Sequence, residues 1–179
     1  MRARIGAAED MIIARVDDDV VAPPSVARGS ACELFERTER PGYLALLEAA
    51  PADWPGWTLT PIERLFTGGR FGPDAGSWLF AVGLRVPHEH RDEFLSWYAE
   101  EHLPILLECS TWEGCRFVEA PDPSACRFIA LHQLADRAAL SSPERARSRA
   151  TPWFMRLARH DWFDGPFTRN LYRRVGNAA

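Results

Sequence analysis

The chain has 179 residues, 46% of them hydrophobic, and a net charge of −4, enough apolar material for one shared core or two small repeats, and no basic stripe of the kind that nucleic acid demands. All 21 basic residues are arginine, which excludes lysine Schiff bases, a pyridoxal phosphate anchor and a phosphate-loop lysine. The four cysteines (Cys32, Cys109, Cys115 and Cys126) make no CxxC and no zinc spacing, and no stretch reaches the roughly 20 apolar residues of a membrane helix; the expectation is a cytoplasmic protein with reduced thiols, no metal, and no nucleic-acid or membrane partner.

Alternating apolar runs predict strands over 11–16, 31–38, 43–48 and 61–67, with a turn at Arg40-Pro41-Gly42. The connections 21–30 and 49–57 are rich in proline or glycine, so this first half is helix-poor, and the glycines from Gly68 to Gly76 form a linker. A strand over 78–86 then leads through Pro87 into a helix over 91–107, where Phe94, Tyr98, His102 and Ile105 recur at helical spacing and Pro104 should loosen the last turn. Strands over 112–120 and 127–134 flank the turn at Pro121-Asp122-Pro123-Ser124. A helical stretch from 135 is restarted at Ser142-Pro143 and interrupted at Thr151-Pro152, and a last strand covers 170–175.

The second half therefore reads βαββαβ, a ferredoxin-like unit. Tyr43-Leu44-Ala45-Leu46-Leu47 aligns with Phe128-Ile129-Ala130-Leu131-His132, so the first half reads as a degenerate copy. The expected fold is α+β: tandem ferredoxin-like halves, residues 1–70 and 71–179, whose sheets pack as an α+β barrel around one core. A first sheet with few covering helices would leave an outer face for a homodimer.

The run Phe94-Leu95-Ser96-Trp97-Tyr98-Ala99-Glu100-Glu101-His102-Leu103-Pro104 resembles the EthD-like branch of the dimeric α+β barrel superfamily. Trp112-Glu113-Gly114, Phe128-Ile129-Ala130-Leu131, Thr151-Pro152-Trp153 and the segment 168–174 extend the resemblance over 78–175. It implies a ferredoxin-like unit that pairs its sheet across a dimer or a tandem repeat, with a pocket between the sheet and its helices. Its members include cofactor-free cyclases, isomerases, dehydratase-like proteins, monooxygenases and heme-binding relatives.

Acid–base groups in such a pocket are the natural chemistry of a chain without lysine, metal ligands or a dinucleotide motif. His102 and Tyr98 share a helix face, and strand parity puts Phe128, Ala130 and His132 on one side of their strand and Ile129 and Leu131 on the other. Tyr172 joins His102, His132 and Tyr98 as a candidate catalytic group. Arg85, Trp97, Phe128, Trp153 and Asn170 are candidate substrate contacts. The leading expectation is a cofactor-independent cyclase, isomerase or dehydratase acting on an aromatic or polyketide-type small molecule of secondary metabolism. A cofactor-free or heme-assisted monooxygenase is the first alternative, and a non-catalytic binding or scaffold protein the second.

Overall fold

Eight strands form one closed antiparallel barrel in the order β1-β3-β2-β8-β5-β7-β6-β4. They are β1 (Asp10–Asp17), β2 (Cys32–Arg37), β3 (Gly42–Leu47), β4 (Thr58–Gly69), β5 (Trp78–Val86), β6 (Trp112–Ala120), β7 (Cys126–Leu134) and β8 (Thr168–Arg174). This computed structural model describes residues 10–17, 32–47, 58–163 and 165–175. Within the barrel β1–β4 run 4-1-3-2, and β5–β8 repeat that neighbour order, the arrangement of a ferredoxin-like sheet. The two sets join edge to edge through β2–β8 and β4–β6, so they share hydrogen bonds as well as a core. The helix-poor connections 21–30 and 49–57 lie outside the described residues.

Alternation along the strands decides what fills the barrel. Met11, Ile13, Phe35, Leu44, Leu46, Ile62, Leu79, Ala81, Val118, Ala120, Ile129, Leu131 and Tyr172 form one buried cluster drawn from all eight strands. The intervening residues of β5–β8 face outward, where the helices of the second half cover them. Ala14, Ala45 and Leu47 form a small cluster on the opposite parity of the first-half strands. They are already buried within a single chain, so the apolar face on which the homodimer expectation rested is not exposed at these positions.

One end of the barrel is plugged by the segment after β4. Gln133, fully buried, accepts from the Gly72 amide at 2.8 Å and donates to the carbonyls of Gly72 and Gly76 at 2.9 and 2.8 Å. Three of its four hydrogen-bonding positions are thus used to pin a loop that contains no regular structure.

The covering helices are short. Arg91–Trp97 (α1) runs into one wide turn, Tyr98–His102, before Leu103–Leu106 (α2). Pro104 has no N–H to return to the carbonyl four residues earlier, and the chain relaxes by an i→i+5 bond from the Leu103 amide to the Tyr98 carbonyl. Ser142 and Thr151 then cap Pro143–Ser148 (α3) and Pro152–Leu157 (α4), their hydroxyls accepting from the Arg145 and Phe154 amides. In both, proline sits in the first turn, where a missing N–H costs nothing. No described helix is long and apolar enough to cross a membrane.

Candidate active site

Between the outer face of β5–β8 and the helices lies a cavity of about 110 Å³. Phe80, Val82 and Leu84 of β5, Ala130 and His132 of β7, and Trp112 of β6 supply its floor. Trp97, Tyr98, His102 and Leu106 form one wall, Phe154 and Phe163 another, and Arg145, Arg149 and Arg169 reach its margin.

Four polar groups are wired together in its depth. The Trp112 indole N–H donates to His132 Nδ1 at 3.1 Å, and His132 Nε2 lies 2.7 Å from the Tyr98 hydroxyl oxygen. An indole can only donate, so Nδ1 must carry a lone pair and the proton of the neutral ring sits on Nε2. His132 therefore donates to the Tyr98 oxygen, leaving the Tyr98 O–H free to donate onward. Cys115, fully buried, is its hydrogen-bond neighbour. Burial holds the His132 pKa down to about 3 and pushes those of Tyr98 and Cys115 well above their ordinary values. Across physiological pH this cluster is uncharged.

His102 stands beside these four, with its own hydrogen-bond partner. Its Nδ1 lies 3.4 Å from the Ser148 carbonyl, which can only accept, so Nδ1 carries the proton and Nε2 keeps a lone pair on a ring that lines the cavity. Burial, with a smaller contribution from Arg149 and Arg145, lowers its pKa to about 4, against the opposing pull of the Ser148 carbonyl. The wide turn brings its ring centroid to 5.0 Å from that of Tyr98 and 4.6 Å from Trp97. The pocket thus pairs a neutral base with a hydroxyl donor whose orientation is fixed from behind.

Of the residues anticipated from sequence, Tyr98, His102, His132 and Trp97 meet in this cavity. Phe128 lies on the same face but deeper, stacked on Phe94 at 5.6 Å as core, and Trp153 packs half-buried beside the aromatic cluster without lining the cavity. Three others lie away from this cavity by strand parity. Tyr172 pairs with Leu79 and Asn170 with Ala81, so both share the inward face of the barrel. Arg85, on the same alternation as Ala81, ends exposed near Asp122.

Trp112 was hidden by a bulge. The register jumps from Trp112↔Leu134 to Gly114↔Gln133, which rotates the tryptophan onto the outward face that simple alternation would deny it. Gly114 permits this because its Cα approaches Arg70 closely; a Cβ there would lie 2.2 Å from the Arg70 carbonyl oxygen. Arg145 and Arg149 sit in a stretch whose basic residues resemble a solvated helix side, and only their i, i+4 spacing marks a shared direction.

No family model matches the chain, and no curated protein matches it. Solved structures do. An anthrone oxidase-like protein superposes with a TM-score of 0.63 at 11% identity, covering 94% of this chain and 92% of its own. An uncharacterised ferredoxin-fold protein related to antibiotic biosynthesis monooxygenases, from Listeria monocytogenes, gives 0.59 at 11% identity, covering 94% and 96%. The chain has the ferredoxin-like α+β barrel fold that these structures share. A heme-degrading enzyme from Listeria monocytogenes gives 0.56 at 10% identity, covering 93% and 99%. Nothing among these similarities singles out the EthD-like branch. The names are those of oxidases, monooxygenases and a heme-degrading enzyme, which overturns the expectation of a cyclase or isomerase of polyketide metabolism.

Of the two cavity histidines, His132 has both ring nitrogens engaged, whereas His102 keeps one lone pair available.

Proposed function

We propose that the pocket oxidises a small phenolic compound with dioxygen, a monooxygenase-type reaction in which the substrate itself supplies the electrons. The observation that carries this reading is the pairing of the His102 lone pair with the Tyr98 hydroxyl, held by His132 and Trp112, across one aromatic-lined cavity. The names of the structural relatives support it, as does the sequence run 94–104, which we read as an EthD-like signature.

The chemistry balances as phenol plus dioxygen giving quinone plus water. His102 Nε2 takes the phenolic proton, and the electron-rich ring carbon bonds to dioxygen. His102 returns that proton to the peroxide, then takes the proton of the same ring carbon as the O–O bond breaks. The new C=O keeps one oxygen, and the departing hydroxide receives the proton from His102 to become water. All four electrons come from the substrate. Tyr98 turns its O–H from Cys115 to the departing oxygen as charge develops there, and the His132 N–H supports the Tyr98 oxygen in turn.

The test is oxygen uptake by the purified protein with phenols bearing a free para position, using labelled dioxygen. One labelled atom should appear in the quinone and one in water. Tyr98→Phe and His102→Ala variants with unchanged circular dichroism should lose at least tenfold in rate. No uptake with any phenol, or uptake that requires added flavin, heme or metal, would remove the proposal.

A further inference from the structure

The margin of the cavity carries a concentration of charge that the oxidation chemistry does not use. Arg145 from α3, Arg149 just after it and Arg169 from β8 all line the cavity. None is paired with a carboxylate among the described residues, although Arg70, Arg91, Arg147, Arg156 and Arg174 each have one. The three are close enough for Arg149 and Arg169 to disfavour the charge on Arg145, after burial the main influence on it. Arg145 is half-buried, held by the Leu140 carbonyl and lying over the Phe80 ring, so its guanidinium is positioned rather than free in solvent. Like charges are gathered this way at some expense, and a bound anion offsets it.

The interior sets the rest of the ligand. Phe80, Trp97, Trp112, Phe154 and Phe163 offer ring faces and edges, and about 110 Å³ approaches the roughly 150 Å³ of a cavity that holds benzene. The Trp97 indole N–H, on a ring 2% exposed that lines the cavity, has no acceptor among the described residues. It provides a further donor for an oxygen on the ligand.

We propose that the pocket binds a single-ring aromatic carboxylate, with its ring among these aromatics and its carboxylate held by Arg145, Arg149 and Arg169. As a statement about substrate this rests on the oxidation reading and narrows it to hydroxylated aromatic acids. As a statement about binding it stands on the arginines and the cavity alone. Because Arg149 and Arg145 both depress the basicity of His102, a carboxylate between them also restores it, so binding and proton acceptance reinforce each other.

Benzoate and its neutral isostere benzamide test the claim through the fluorescence of Trp97 and Trp112. Benzoate should bind at least tenfold more tightly than benzamide, the preference should shrink between low salt and ~0.5 M salt as exposed charges are screened, and an Arg145→Gln/Arg149→Gln variant with unchanged circular dichroism should lose it. Equal affinities, or a preference that survives in the variant, would overturn the proposal. Oxygen uptake with salicylate, salicylamide and phenol separates it from the oxidation reading. Benzoate preference without uptake of any phenol leaves the carboxylate site standing and removes the oxidase, whereas uptake without benzoate preference does the reverse.

Discussion

Acidification isolates the buried histidines. His132, with a pKa near 3, and His102, with one near 4, stay neutral in the folded protein while the unfolded chain protonates both near 6.5. Between these limits the unfolded state holds more protons, so stability falls as pH falls. Going from pH 7 to pH 5 removes about 2 kcal/mol for each ring, about 4 kcal/mol together, from the difference in protons bound. Urea unfolding at the two pH values measures the total, which the lowered carboxyl of Asp122 adds to and the raised one of Glu33 offsets. A His132→Gln variant, whose amide can still donate to Tyr98, removes one histidine from the balance. Its loss between pH 7 and 5 should be smaller than that of the parent by about 2 kcal/mol. Equal losses in parent and variant would mean that the ring is not held neutral, and the tautomer assigned from Trp112 would fall with it.

Trp112→Phe removes the donor that fixes the His132 tautomer. Two-bond nitrogen–proton spectra should change from an Nε2-protonated ring to a mixture, with stability falling by about 1–3 kcal/mol for the acceptor left unpaired. Gln133→Leu strips the plug of three hydrogen bonds, and thermal unfolding should report a loss of at least about 3 kcal/mol. Near-native proteolysis should then cut between Gly72 and Gly76, whereas an unchanged melting temperature would mean that the loop is held by its other contacts.

How legible the site was depended on how local the signal was. His132 could be placed because β7 alternates cleanly, with Ile129 and Leu131 on the core side and Ala130 on the other. Tyr98 and His102 could be paired because four residues on a helix share a face, and Pro104 gave notice of a disturbed turn. Tyr172 and Asn170 could not be placed in the same way, since both parities of β8 carry polar residues and only pairing with Leu79 and Ala81 decides between them. Trp112 depended on a one-residue bulge without a signature in β6 beyond Gly114. The arginines of the margin were indistinguishable from surface charge until α3 was set against β5. The strand positions of the first half followed from its apolar runs, although its connections carry too little periodicity to read.

The barrel is not equally knitted around its circumference. Among the described residues β5 and β7 match over nine residues, whereas β2 and β8 match over three, Phe35↔Arg174, Glu36↔Arg173 and Arg37↔Tyr172. Backbone bonds from Thr38 to Leu171 and from Val175 to Leu34 flank that short seam, and Arg174 spans it to reach Glu33 at 2.9 Å. If the cylinder opens anywhere it opens there, baring two strand margins with their amides and carbonyls unmet. An exchange of strands between molecules would begin at this seam, and Arg174, joined to Glu33, Gly72 and Pro73, is the clasp that stands against it.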